Sequence, residues 1–464
     1  MTLIKSISGI RGTIGGAEGQ ALTPIDIVKF TAAFGTFCKK HSDSRKIVIG
    51  RDARISGPMV SGIVASTLQG IGFDVVDLGL STTPTVEIAV PIEYASGGII
   101  ITASHNPMQW NALKLLNHKG EFISAEDGLE ILQIAESGQL SFADVKLLGE
   151  YTVNESYIDK HIEMILALPL VDVQAIRARD YSVAIDCVNS TGGIAVPRLL
   201  RALGVEKITE LNCEAHGHFA HNPEPLPENL TQISGMMEKG KFDLGIVVDP
   251  DVDRLALLQE DGTAFGEEYT LVAVADYVLR SSPGNTVSNL SSTRALRDIT
   301  LKKGGSYNAA AVGEVNVVQK MKETNAIIGG EGNGGIIYPK LHYGRDALVG
   351  IALFLSQLAK TGKSISFLRQ QYPNYYISKN KIELTPDVDV DAILAAIENK
   401  YKNNQINTID GVKIDFENEW IHLRKSNTEP IIRIYAESET MATAEHLANK
   451  IISDIRELIS GNNE

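Results

Sequence analysis

Short runs of β-branched and other apolar residues recur along the chain, each bounded by glycine or aspartate and followed by an amphipathic stretch. This pattern predicts βαβ units carrying a largely parallel sheet. One unit joins strand-like KIVIG (46–50), the polar turn RDARISGP, amphipathic MVSGIVASTLQGIG (59–72) and strand-like FDVVDLG (73–79). A second joins YSVAID (181–186), IAVPRLLRALG (194–204) and VEKITEL (205–211), and a third, weaker copy runs from Asn285 to Val312. The copies start 135 and 104 residues apart, too far for a solenoid and suited to repeated globular domains. After Gln370 the texture changes to strands flanked by helices, closing on the amphipathic segment 441–459, which predicts a small α+β domain. Cuts near 150, 255 and 370 give three related α/β domains with mixed sheets (1–150, 151–255, 256–370) and a last one (371–464).

The length of 464 residues suits about three domains at roughly 100–200 residues each, with two or four also in range. The 44% apolar and 22% charged content is that of a folded protein with several buried cores. The net charge of −14 repels phosphate backbones and anionic lipid, which argues against nucleic acid or a membrane surface as the main partner. Three scattered cysteines suggest neither a disulfide framework nor a thiolate zinc site. Residues 1–11 lack a signal peptide's apolar core and no run of about 20 apolar residues occurs, so a cytoplasmic location is expected. An acidic chain acting on an anionic substrate must concentrate its cations locally.

Four loops carry the residues for chemistry. Thr102-Ala103-Ser104-His105-Asn106-Pro107 follows the apolar run GGIIIT, at the strand end where α/β sheets bind ligands; Ser104 is a candidate nucleophile or phosphate carrier, or a plain helix cap. Asp249-Pro250-Asp251-Val252-Asp253-Arg254 follows the strand-like DLGIVV, and three carboxylates at alternate positions call for a hard divalent cation, with Mg²⁺ the natural choice. A calcium hand is rejected, because Arg254 stands where that loop needs glycine. In Gly329-Gly330-Glu331-Gly332-Asn333-Gly334-Gly335 the glycines allow close backbone approach, leaving Glu331 and Asn333 to read hydroxyls; the same sequence also suits a hairpin turn. Arg424-Lys425-Ser426-Asn427-Thr428-Glu429-Pro430 with Arg433 reads as an anion pocket fit for phosphate, or as a solvated basic strand end. The histidines of HGHFAH (216–221) read as solvent-facing.

Taken together, and with SGIRG (8–12), GRDARISG (50–57), TTPT (82–85), NALK (111–114) and GRDA (344–347), these loops resemble the α-D-phosphohexomutase family over essentially the whole chain. The resemblance implies four domains around a central cleft and reversible phosphoryl transfer between O1 and O6 of a hexose phosphate. It implies that Ser104 carries a phosphoryl group, that a hexose 1,6-bisphosphate is the intermediate, and that Asp249, Asp251 and Asp253 hold Mg²⁺ with the Ser104 phosphoryl oxygen. Arg11 and Lys114 would assist at the attacking hydroxyl, Lys114 as the leading general base or acid, with His105 in a supporting role. Arg254 would contact the phosphoserine, and Glu331 would bind the sugar's 3- and 4-hydroxyls. Arg424, Ser426, Asn427, Thr428 and Arg433 would grip the phosphate that is not reacting.

One departure stands out. Many bacterial members end the third loop in Ser-Gly-His, whereas this chain has Asn333-Gly334-Gly335, so the histidine is missing at Gly335. The expectation is therefore a phosphohexomutase, monomer or homodimer, for glucosamine phosphate, with glucose or mannose phosphate as runner-up. A sugar phosphatase and a non-catalytic sugar-phosphate binder are the rival classes.

Overall fold

The strand Lys46–Arg51 alternates as its sequence predicts. Ile47 and Ile49 join an apolar cluster with Phe30, Val64 and Leu68, while Val48 joins Val76, Val86 and Ile100 in a separate one. A strand apolar on both faces must be covered by helices on both, which gives a three-layer α/β/α arrangement. The computed structural model describes residues 2–6, 9–385, 388–425 and 431–461. These form two compact units, Met1–Val278 with Asn333–Arg369, and Leu279–Gly332 with Gln370–Glu464.

The first unit holds two sheets. The larger runs Ile4–Ser6, Gly9–Thr13, Trp110–Leu116, Gly97–Ile101, Lys46–Arg51, Asp74–Leu80, Tyr151–Val153. Its last four strands are parallel, as the βαβ pattern predicts, and the other three are antiparallel. The sheet is mixed because the chain returns from Ile101 to Trp110 through a short loop, and a short loop can only join antiparallel neighbours. The helix Gly57–Ile71 between two parallel strands ends at Gly72, φ 97°, where a Cβ would meet the Leu147 carbonyl at 2.8 Å. The smaller sheet orders Leu255–Leu258, Leu244–Val248, Ser182–Asp186 and Lys207–Leu211, with only the first strand antiparallel.

The second unit pairs Tyr307–Ala310, Asn285–Asn289 and Ala326–Glu331 in parallel. Its other sheet is antiparallel, in the order Tyr376–Glu383, Ile431–Ser438, Trp420–Lys425, Val412–Asp415, Gln405–Asn407. One face of that sheet packs under the helices Val390–Lys400 and Met441–Gly461 through Ile397, Ile414, Ile434, Ala448 and Ile451. Among the described residues no helix is long and apolar enough to cross a membrane.

Candidate active site

Ser104 lies in the loop between the paired strands Gly97–Ile101 and Trp110–Leu116, in which Ile100 faces Lys114. Its φ of 48° is left-handed, a conformation that costs an L residue about 1–3 kcal/mol and persists only where the surroundings enforce it. Arg54, from GRDARISG, supplies the enforcement. Its fully buried guanidinium donates to the carbonyls of Ser104 (2.5 Å), Asn106 (2.6 Å), Pro107 (2.8 Å) and Trp110 (3.0 Å) and to Asp52 Oδ2 (3.0 Å). All five guanidinium N–H groups are thus accounted for. The Thr102 hydroxyl donates to Asp52 Oδ2 at 2.6 Å and accepts the Ser104 N–H at 2.9 Å, closing the network on the serine.

The three aspartates lie between the strands Leu244–Val248 and Leu255–Leu258, whose ends Val248 and Leu255 pair. Val252 in this turn has φ 64°, an outlier for a β-branched residue, and its side chain is fully buried. Asp249, Asp251 and Asp253 have no solvent exposure. The Ser104 hydroxyl donates to Asp249 Oδ2 at 2.8 Å, while Asp249 Oδ1 accepts the N–H groups of Asp253 and Arg254, both at 3.1 Å. Asp251 Oδ2 accepts from Lys114 Nζ at 2.7 Å and from the Thr83 hydroxyl at 2.6 Å. Asp253 Oδ2 accepts from Arg345 Nη2 at 2.7 Å and lies 3.5 Å from Lys114 Nζ.

Charge explains the titration of these groups. Burial, then Asp253 and Asp251, push the Asp249 carboxyl well above the usual carboxylate range. Burial also resists ionisation of Asp251, but Lys114 and Thr83 outweigh it and hold that carboxyl low. Burial would depress the Lys114 ammonium, and Asp251 and Asp253 overcome it, so Lys114 holds its proton more tightly than an ordinary lysine. His105 is driven well below the usual histidine range by burial and then by Arg254 and Arg345, so its ring is neutral.

Asp249, Asp251 and Asp253 present carboxylate oxygens within 4.8 Å of one another. Asp251 Oδ1 and Asp253 Oδ1 are buried with no hydrogen-bond partner, an expensive state for carboxylate oxygens that a hard divalent cation relieves. The donor set therefore fits Mg²⁺.

The first unit brings together Ser104, His105, Lys114, Asp249, Asp251, Asp253 and Arg254. His105 Nδ1 is 3.4 Å from Ser104 Oγ, and Arg254 Nη1 bonds Glu224 at 3.3 Å. Arg11 pairs with Ala112, two residues from Lys114 along the same strand and hence on the same sheet face. Asn333 turns its side chain back to accept the Gly335 N–H at 3.2 Å. In the second unit Glu331 is 5% exposed and accepts from Asn289 Nδ2 (2.9 Å) and the Gly313 N–H (3.1 Å). Arg424 faces Arg433 across paired strands and contacts Asp410 at 2.8 Å. Ser426, Asn427 and Thr428 lie outside the described residues.

Sequence reasoning missed Arg54, Thr83 and Arg345 as parts of the site, although GRDARISG, TTPT and GRDA were the signals that contained them. It also missed a buried cluster behind the aspartate loop. Asp346 caps the helix Ala347–Thr361 with Oδ1, and its Oδ2 meets His161 Nε2 at 2.9 Å and His342 Nε2 at 3.3 Å; His342 Nδ1 faces Glu87 at 3.3 Å.

Models of the phosphoglucomutase/phosphomannomutase family match the chain in four successive pieces. Its α/β/α domains I, II and III match residues 3–141, 155–262 and 266–376, and its C-terminal domain matches 382–453. The chain belongs to this family of α-D-phosphohexomutases. Its enzyme class is therefore isomerase, of the intramolecular phosphotransferase kind. This phosphohexomutase is 35% identical over 457 residues to a phosphoglucomutase/phosphomannomutase of Thermococcus kodakarensis, covering 97% of this chain and 99% of the other. It is 32% identical over 460 residues to a phosphoglucosamine/phosphogalactosamine mutase of Sulfurisphaera tokodaii, covering 98% of each. In structure it resembles a phosphoglucomutase/phosphomannomutase family protein of Burkholderia thailandensis, with TM-score 0.86, 25% identity, and 98% and 97% of the two chains covered.

Proposed function

We propose that this phosphohexomutase interconverts the 1- and 6-phosphates of a hexose through phosphorylated Ser104 and a hexose 1,6-bisphosphate. Glucosamine phosphate is the favoured sugar. The observation that carries the reading is the hydrogen bond from the Ser104 hydroxyl to Asp249, inside a buried cluster that also holds Asp251, Asp253 and Lys114. A serine held in a strained loop against three carboxylates is poorly explained as a helix cap.

Ser104, once phosphorylated, gives its phosphoryl group to the sugar hydroxyl: the serine O–P bond breaks, the sugar O–P bond forms, and the hydroxyl proton leaves. The proton the sugar hydroxyl loses is matched by the one the departing serine oxygen takes up; Lys114, with Arg11 beside it, is our candidate general acid or base, its ammonium having to give a proton to the serine oxygen before it can take one from the sugar, and neutral His105 supports the serine loop. Asp249, Asp251 and Asp253, with a Ser104 phosphoryl oxygen, would hold Mg²⁺, which when bound neutralises charge on the transferring group. After the bisphosphate turns around, Ser104 accepts the other phosphoryl group. Arg254 would contact the phosphoserine, Glu331 and Asn333 would read sugar hydroxyls, and Arg424, Ser426, Asn427, Thr428 and Arg433 would clamp the idle phosphate. We place the reaction in the cytoplasm.

The names of the relatives favour two sugar groups, glucosamine phosphate on one side and glucose or mannose phosphate on the other. Phosphorus NMR on each hexose 1-phosphate, with Mg²⁺ and a trace of the 1,6-bisphosphate, tests the reading. The expected product is the 6-phosphate isomer, formed fastest from glucosamine 1-phosphate. Inorganic phosphate and free sugar would mean a phosphatase, and equal constants for all sugars would defeat the substrate choice alone.

A further inference from the structure

Gly335 and Arg345 are sterically interlocked. A Cβ on Gly335 would come within 2.4 Å of Arg345 Cδ and 3.1 Å of both Arg345 Cγ and Asn333 Oδ1. The arginine stem therefore fills the space that any side chain at 335 would need. Gly335 has no left-handed φ, so the contact with Arg345 rather than backbone strain is what demands glycine there.

Past this notch the guanidinium reaches the aspartate loop. Arg345 Nη2 donates to Asp253 Oδ2 at 2.7 Å, with the two side chains 10% and 0% exposed. The arginine's root is fixed to the same loop from its other side. Arg345 bridges to Ile337, the Asp346 N–H bonds the Ile336 carbonyl at 2.8 Å, and the Ala347 N–H bonds the Val252 carbonyl at 3.1 Å.

The carboxylate pattern shows what this arrangement does. In Asp251 one oxygen, Oδ2, is taken by Lys114 and Thr83, and Oδ1 is buried without a partner. In Asp253 Oδ2 is taken by Arg345, with Lys114 Nζ at 3.5 Å, and Oδ1 is again buried without a hydrogen bond, Arg254 Nε standing off at 4.0 Å. Lys114 and Arg345 occupy the Oδ2 oxygens of the two aspartates and leave both Oδ1 oxygens to the metal position.

We infer that Arg345 is a positioning residue for the divalent cation, turning Asp253 Oδ1 toward it, and that Gly335 is kept bare so that the arginine can pass. The inference rests on the metal assignment made under the proposed function. Groups that orient metal ligands are worth roughly 10–100-fold in metal affinity.

Mn²⁺ titration of the full-length protein, with free Mn²⁺ read by EPR, tests the inference without recourse to turnover. Wild type binds one Mn²⁺, Arg345→Met weakens that binding by about 10-fold or more, and Arg345→Lys recovers part of it. Gly335→Ala, which touches no ligand, weakens binding in the wild-type background and adds nothing in the Arg345→Met background. That lack of additivity separates positioning from general loss of stability. Equal Mn²⁺ affinity in wild type and Arg345→Met, or additive effects of the two substitutions, would overturn the inference and leave the mutase reading intact. Wild-type protein that binds no Mn²⁺ would overturn the metal assignment itself, and the inference with it.

Discussion

The Ser104 hydroxyl donates to Asp249 Oδ2 at 2.8 Å, although the two residues are 145 positions apart in the chain. That contact joins the end of one sheet to the end of another and puts a serine hydroxyl against the aspartates proposed to hold the metal. Replacing Ser104 by alanine removes the attacking oxygen and little else. Turnover is expected to fall about 10³-fold or more while hexose phosphate binding is retained, as steady-state rates and calorimetric titration would show.

Asp249 is uncomfortable as an anion when no metal is bound, since burial, Asp253 and Asp251 all favour its protonated form. Asp249→Asn therefore relieves repulsion in metal-free protein and should raise Tm by about 2 °C in chelator. Addition of Mg²⁺ should stabilise wild type and leave the variant unmoved, and the variant should be inactive. Calorimetric scans with and without Mg²⁺ check all three outcomes.

Arg54 is a charge with no solvent exposure, paired with an equally buried Asp52. Removing one member of such a pair strands the other, so Arg54→Met should cost about 3–5 kcal/mol in denaturant unfolding and disorganise the serine loop. The double replacement of Arg54 and Asp52 by neutral residues should cost less than the sum of the single ones.

Burial disfavours a charged His342, yet Asp346 and Glu87 outweigh it and push the ring up to about 10 from an ordinary 6.5. A folded-state value above the unfolded one means the folded protein binds the extra proton between them. The stabilisation is complete below about pH 6.5 and is lost as the pH rises toward about 10. His342→Gln should be less stable than wild type at pH 6 and should lose less of its Tm on the way to pH 10. Parallel slopes of Tm against pH for the two proteins would contradict this.

Much of the fold was legible because its signals are local. Ile47, Val48 and Ile49 announce a strand buried on both faces, and Gly72 announces the end of the helix that follows. Mixed sheets were expected, but which strands run antiparallel was not legible, because strand direction depends on how the loop 102–109 turns, which apolar periodicity does not encode. TASHNP and DPDVDR stand out as loops of unusual composition, and they bring Ser104 and the aspartates together. Arg54 and Arg345 were not legible as site residues, since an arginine's partners lie wherever its long stem reaches. Asp52 is near in sequence to Arg54, but the four carbonyls that Arg54 holds lie about 50 residues away. The cuts at 150, 255 and 370 stay a proposal for how the chain divides.

The proposed mutase reaction stands or falls on whether Ser104 carries the migrating phosphoryl group. Incubating the enzyme with glucose 1,6-bisphosphate bearing labelled phosphorus, then adding unlabelled hexose 1-phosphate, follows that group directly by peptide mass spectrometry and product analysis. Label is expected on the peptide containing Ser104, followed by its loss from the enzyme and its appearance in bisphosphate and 6-phosphate. Label on another residue, or its release from the enzyme as inorganic phosphate, would contradict that role for Ser104.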